Sequence, residues 1–163
     1  RGKIISRYQK INLFDASIGR KKVNESNCFL RGKKSVICKV QDFCVGMAIC
    51  YDLRFPSLFQ EYRLAGAHIL VVPSCFSQVT GQAHWEILLR ARAIESQCYV
   101  LAPNQVGKDA RGIMAYGNSM IINPWGAILA RATDDKEEIL SADISLRDMK
   151  IFQKVLPGIR KSV

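Results

Sequence analysis

Cys50 stands where an apolar run ends. Residues 43–49 have the composition of a buried strand, and the chain then changes character within one residue, to Cys50-Tyr51-Asp52-Leu53-Arg54. Pro56 opens a helix-like segment, a position where its missing N–H would be unpaired anyway. A cysteine at a strand end, ahead of a sharp turn and a helix, is well placed as a nucleophile. Its sulfur stands clear of the sheet, and neighbouring backbone N–H groups can meet a developing oxyanion. The plainer alternative is a small buried hydrophobe, the usual fate of a cysteine outside a disulfide. A rival catalytic arrangement is a Cys–His dyad using His68, which opens a buried strand, or His84, which starts a helix.

The wider sequence favours the nucleophile. Tyr8-Gln9-Lys10-Ile11-Asn12-Leu13-Phe14-Asp15 resembles the lysine motif of the nitrilase superfamily, the carbon–nitrogen hydrolases, and Ile49-Cys50-Tyr51-Asp52-Leu53-Arg54-Phe55-Pro56 resembles its cysteine motif. Three further blocks occur in the family's order: Gly81-Gln82-Ala83-His84-Trp85-Glu86 running into residues 90–95, then Asn104-Gln105-Val106-Gly107, then residues 116–120 with Asn123-Pro124-Trp125-Gly126. The resemblance runs from Tyr8 through nearly the whole chain and is closest to the branch that hydrolyses small amides, the ω-amidase and deaminated-glutathione amidase type. It implies an α/β chain forming part of a four-layer α-β-β-α sandwich. Residues 1–163 would be the C-terminal portion of one carbon–nitrogen hydrolase domain, lacking the N-terminal segment.

Amide hydrolysis by a thiol needs a nucleophile, a base that takes its proton and passes it to the leaving amine, and positive charge at the oxyanion. The resemblance implies Cys50 as nucleophile, passing through a thioester. Lys10 then stabilises the oxyanion and helps hold the thiolate, since a nearby cation lowers a thiol's pKa. The backbone N–H of Tyr51 is the natural second oxyanion donor. Around the substrate, Arg54, Glu25, Cys75 and Phe76 are the expected contacts. Glu25-Ser26 resembles the family's Glu-Ser pair in a loop near the active site, and Cys75 comes just after a strand end. Arg54 pairs either with a substrate carboxylate or with a structural acid such as Asp52. The histidine block lines the pocket in the family and is not catalytic there.

Two departures matter. Asn118 stands where this branch usually has histidine, still offering a donor and an acceptor. The family's glutamate base lies well before the lysine motif, whereas only nine residues precede Lys10 and none is acidic. The chain also opens without methionine, in what reads as a strand. The expectation is therefore an amidase portion whose base lies outside these residues; the alternative is a truncated, catalytically incomplete homologue serving as a binding or structural piece.

The positioning elements alternate between strand and helix, the α/β pattern. Residues 4–10 read as a strand delivering Lys10, and 15–34 as a long loop. Residues 35–41 and 43–49 form a hairpin by spacing. A helix is expected at 56–65, stopped by Gly66, then a strand at 68–73 and a loop at 74–81. The strongest helix is 82–97, with one apolar face of Trp85, Leu88 and Leu89 and another of Ile87, Ala91 and Ile94. A helix apolar on two sides needs two covers, which predicts a homodimer or larger assembly through 82–97, as the resemblance also implies. Its pairs Glu86–Arg90 and Arg92–Glu95 have ion-pair spacing. Strands are expected at 98–103, 119–122, 127–130 and 138–143. A last helix spans 145–155, N-capped by Ser145.

At 163 residues, 48% hydrophobic and 23% charged, the chain has ordinary globular composition. No apolar run is long enough for a transmembrane helix, and no signal-peptide anatomy opens it, so no membrane partner is expected. The net charge of +10 raises nucleic acid as a partner, but the basic residues are scattered, with short runs at 20–22 and 31–34, and solvated loop charge is the better reading. The six cysteines form neither a CxxC pair nor zinc spacing, so no metal or other cofactor is implied. Thiols in a reducing cytoplasm are expected, with Cys28, Cys38, Cys44 and Cys98 in the core.

Overall fold

A computed structural model describes residues 2–18, 21–110 and 112–158. Arg20 of the first basic run therefore lies outside the described residues. Strands β1 (Asp15–Ile18) and β2 (Lys21–Asn24) pair with each other as a small antiparallel ribbon. The centre is a mixed six-stranded sheet. Strands β3 (Ile37–Val40) and β4 (Phe43–Met47) form the expected two-residue hairpin, Val40 opposite Phe43. Strands β5 (Ile69–Val71) and β6 (Tyr99–Ala102) run parallel to β4. Strands β7 (Met120–Ile122) and β8 (Ile128–Arg131) close the sheet antiparallel, giving the order β3-β4-β5-β6-β7-β8.

The parallel pairs need crossovers, and two helices supply them. Helix α1 (Pro56–Leu64) starts on Pro56 and gives way to Gly66 at φ 87°. Helix α2 (Gln78–Ser96) begins a turn earlier than the sequence suggested. Ser77 caps it by accepting the Thr80 N–H, and Gly81, inside the helix, lets the Tyr116 ring lie against the backbone; a Cβ there would fall 2.3 Å from that ring. Leu70, Val72, Val100, Met120 and Ile122 on one sheet face pack against Phe59, Tyr62, Trp85 and Leu89, all fully buried. The opposite face is covered less completely. Helix α3 (Leu146–Val155), capped by Ser145 as expected, brings Met149 against Ile69 and Tyr99, and Val45, Val71 and Leu101 there are only partly buried.

Four other expectations need correction. Residues 4–10 form no strand: Ile4 and Ile5 are 69% and 67% exposed, and the segment is tied by side chains instead of a sheet ladder. The stretch 15–34 is not all loop, since it contains the β1–β2 ribbon and then a 3-10 turn at Glu25–Asn27. Four-residue strands carrying polar side chains leave little periodic signal, yet their pairing satisfies backbone groups. Residues 138–143 form no strand, and Ile139 is fully exposed; Glu138 instead binds back to the Thr133 N–H and hydroxyl. Cys28 is exposed, not core, and Cys38 and Cys44 are half-buried; only Cys98 is fully enclosed. Among the described residues, no helix is long and apolar enough to cross a membrane.

Candidate active site

Three parallel strands end side by side, and the segments leaving them converge. The Cys50 N–H donates to Pro73 O at 3.0 Å and the Ser74 N–H to Pro103 O at 2.9 Å, so the pairing of β4, β5 and β6 continues past their ends. Carboxyl ends of parallel strands are where open α/β sheets hold ligands. Here they border a cavity of about 740 Å³, lined by Cys50, Cys75, Lys10 and Glu25 among others. Its walls are largely apolar: Leu13, Phe14, Phe29, Leu30 and Ile113 all face it.

Cys50 begins a 3-10 turn, Cys50–Arg54, with φ 47°. A left-handed conformation costs an L-residue about 1–2 kcal/mol, and such strain gathers at functional sites. The turn is held by Asp52, which is fully buried. Its carboxylate accepts the Ile49 N–H at 2.9 Å, the Tyr8 hydroxyl at 2.8 Å, and the backbone and side-chain amides of Asn12 at 2.8 and 3.0 Å. Tyr8 and Asn12 flank Lys10, so one carboxylate fixes both the cysteine turn and the lysine segment. Gly32 presses on the same segment: its N–H donates to Lys10 O, and a Cβ would fall 2.0 Å from Gln9 O.

The Lys10 ammonium lies 2.6 Å from Glu25 Oε2, and the same oxygen accepts the Phe14 N–H at 2.7 Å. The Lys10 side chain is 11% exposed, enough burial for the pair to be felt at Cys50. Burial pushes the Cys50 thiol above its ordinary pKa; the backbone N–H of Cys75 and then the Lys10 charge act downward, and the Glu25 carboxylate acts upward. The expected influence of Lys10 is present, but desolvation outweighs it. At neutral pH the resting group is a thiol, and its use as a nucleophile requires a base.

Cys50, Lys10, Glu25 and Cys75 thus share the cavity, and the Tyr51 N–H hydrogen-bonds the thiol. Arg54 and Phe76 are brought to each other instead. The guanidinium sits 5.3 Å from the Phe76 ring centroid and 5.9 Å from that of Tyr51, with Nη1 3.3 Å from His84 Nδ1. Phe76 is buried against Trp85, and neither Arg54 nor Phe76 lines the cavity. The histidines do not line it either: His68 Nδ1 accepts the Cys44 N–H, so a dyad with Cys50 is not assembled. Asn118 is structural, at φ 54°, accepting from Arg131 and donating to Tyr116 O. Sequence reasoning missed Asp52 as the organiser; its place two residues after Cys50 was the available signal. Asn104, quoted above only as part of a motif block, proves to be a cavity-lining residue whose side chain accepts the Phe76 N–H and donates to Gly117 O, tying the neighbouring loops together.

A sequence model of the carbon–nitrogen hydrolase family matches residues 1–153. The chain is 44% identical over 165 residues to Probable hydrolase nit2 of Schizosaccharomyces pombe, covering 99% of this chain and 60% of that protein. It is 43% identical over 158 residues to the deaminated glutathione amidase of Dictyostelium discoideum, covering 96% and 54%. Among solved structures, Nit3 of Saccharomyces cerevisiae, a member of branch 10 of the nitrilase superfamily, superposes with a TM-score of 0.85 at 32% identity over 98% of this chain and 55% of that one. The chain spans somewhat more than half the length of these relatives.

Proposed function

This chain belongs to the carbon–nitrogen hydrolase family, and from that premise we propose that it carries the nucleophile-bearing portion of a thiol-dependent amidase. The supporting observation is that Cys50, in a strained turn at a strand end, shares one cavity with the Lys10–Glu25 pair. Cys50 Sγ attacks the carbonyl carbon of a small carboxylic amide, and the oxyanion is met by Lys10 and the Tyr51 N–H. The thiol proton passes to a carboxylate base and then to the leaving nitrogen, which departs as ammonia. Water then attacks the thioester, releasing the acid and restoring the thiol.

The base is assigned to a segment outside these 163 residues, because both carboxylates at the cavity are engaged: Glu25 by Lys10 and the Phe14 N–H, and Asp109 by the Ile113 N–H. The name of the deaminated glutathione amidase relative, together with the ω-amidase-type resemblance of the motifs, suggests small ω-amides as first substrates to try. The proposed assembly is a homodimer or larger through α2, whose residue Ile87 is 70% exposed. A second reading, a binding or structural piece, draws on the burial that raises the Cys50 thiol.

Mass spectrometry after incubation with candidate ω-amides separates them. An acyl adduct on Cys50, lost in C50S, supports the amidase. No adduct on Cys50, in this chain or in one extended upstream, sinks it in favour of the binding role.

A further inference from the structure

We propose that Cys50 and Cys75 form a reversible oxidation site, in which peroxide joins the two sulfurs as a disulfide across the ends of β4 and β5. The strand register brings the residues together. Met47 pairs with Val71, the Ala48 N–H donates to Val71 O, and the Cys50 N–H donates to Pro73 O, so Cys75 comes two residues after the carbonyl that binds Cys50. Extended past the strand ends, that register sets Ser74 opposite Cys50 and Cys75 one residue further along, and a disulfide spans roughly 4.4–6.8 Å between Cα atoms. The Cys75 N–H hydrogen-bonds the Cys50 thiol, so the Cys75 backbone adjoins that sulfur. Both residues line the same cavity, and Cys75 is exposed, so a small oxidant reaches the pair.

The chemistry balances with peroxide as the oxidant. One thiol displaces water from hydrogen peroxide and becomes a sulfenic acid; the second thiol attacks that sulfur, forms the S–S bond and releases a second water. A dithiol reductant reverses the bond by exchange. Without a neighbour, a sulfenic acid proceeds to the sulfinic acid, which thiols do not reverse. The pair thus shields Cys50 from irreversible oxidation; that the bond also silences a nucleophile rests on the amidase reading, whereas the bond itself does not.

The test is peptide mapping of the chain after limited hydrogen peroxide and alkylation, digested with trypsin without reductant. Cys50 falls in residues 40–54 with Cys44, and Cys75 in residues 64–90. The expected result is these peptides joined, lighter than their sum by two hydrogen atoms, with fragment ions placing the link on Cys50 and dithiothreitol restoring both thiols. In C75S, and in C75A as a second variant, the link vanishes and Cys50 accumulates as sulfinic acid. Three results overturn the proposal: Cys50 oxidised without a link, a link from Cys44 in its place, or equal dithiothreitol recovery of Cys50 in the wild type and both variants.

Discussion

Asp52 and Asn12, forty residues apart in sequence, are joined twice, the Asp52 Oδ1 accepting both the backbone and the side-chain amide of Asn12. That paired contact fixes the lysine-bearing segment to the cysteine turn without any strand between them. Four donors converge on the one buried carboxylate, which an asparagine cannot satisfy, since its NH₂ would face donors.

Replacing Asp52 with asparagine is therefore expected to destabilise the fold by about 1–3 kcal/mol, the cost of leaving a buried donor unsatisfied. Urea unfolding measures it. The same variant should slow Cys50 alkylation under native conditions by loosening Lys10; an unchanged midpoint would remove Asp52 from its organising role.

The Lys10–Glu25 pair acts on Cys50 with two signs, and single substitutions should move the thiol in opposite directions. E25Q removes an upward influence on the thiol's pKa and leaves Lys10, so iodoacetamide labelling of Cys50 at fixed pH should quicken. K10M removes the downward influence and should slow it. Because Glu25 also positions Lys10, amide turnover by a chain extended upstream through the base should fall in both variants. Labelling rates from pH 7 to 10, mapped by peptide, give the two shifts directly.

Burial pushes Cys98 up to about 12 and Tyr62 up to about 12. In the folded state these groups keep protons that the unfolded chain releases at its ordinary, lower pKa values. The stabilising contribution is therefore complete below the unfolded values and is lost as pH rises from them toward the folded ones. Each fully linked group contributes a slope of up to about 1.4 kcal/mol per pH unit in that window. Thermal unfolding between pH 8 and 11 should show Tm falling, and C98A should flatten part of the fall.

The exposed face of α2 carries the assembly prediction. Gly126 already packs under Ile94, where a Cβ would fall 2.6 Å from that side chain, while Ile87 projects at 70% exposure. I87K should thus halve the mass seen by light scattering if α2 joins two copies. A monomeric wild-type protein would refute the arrangement.

Much of the frame was legible in the sequence because it rests on local rules. The hairpin spacing of β3 and β4, Pro56 at a helix start, Ser145 as a cap and the two apolar faces of α2 each come from backbone geometry within a few residues. Cys50 at a strand end was readable for the same reason, and the ordered motifs carried Lys10 and Glu25 to its side. What only the tertiary structure decided is non-local. Arg54, next to the cysteine turn in sequence, stacks on Phe76 away from the cavity, because the 3-10 turn rotates successive side chains to different sides. The lysine segment reads as a strand, yet it is held by Asp52, Gly32 and Glu25, contacts that no periodicity records. The Cys50 thiol, expected to be lowered by a cation, is raised, since desolvation depends on everything packed around the sulfur and the sequence names only its neighbours.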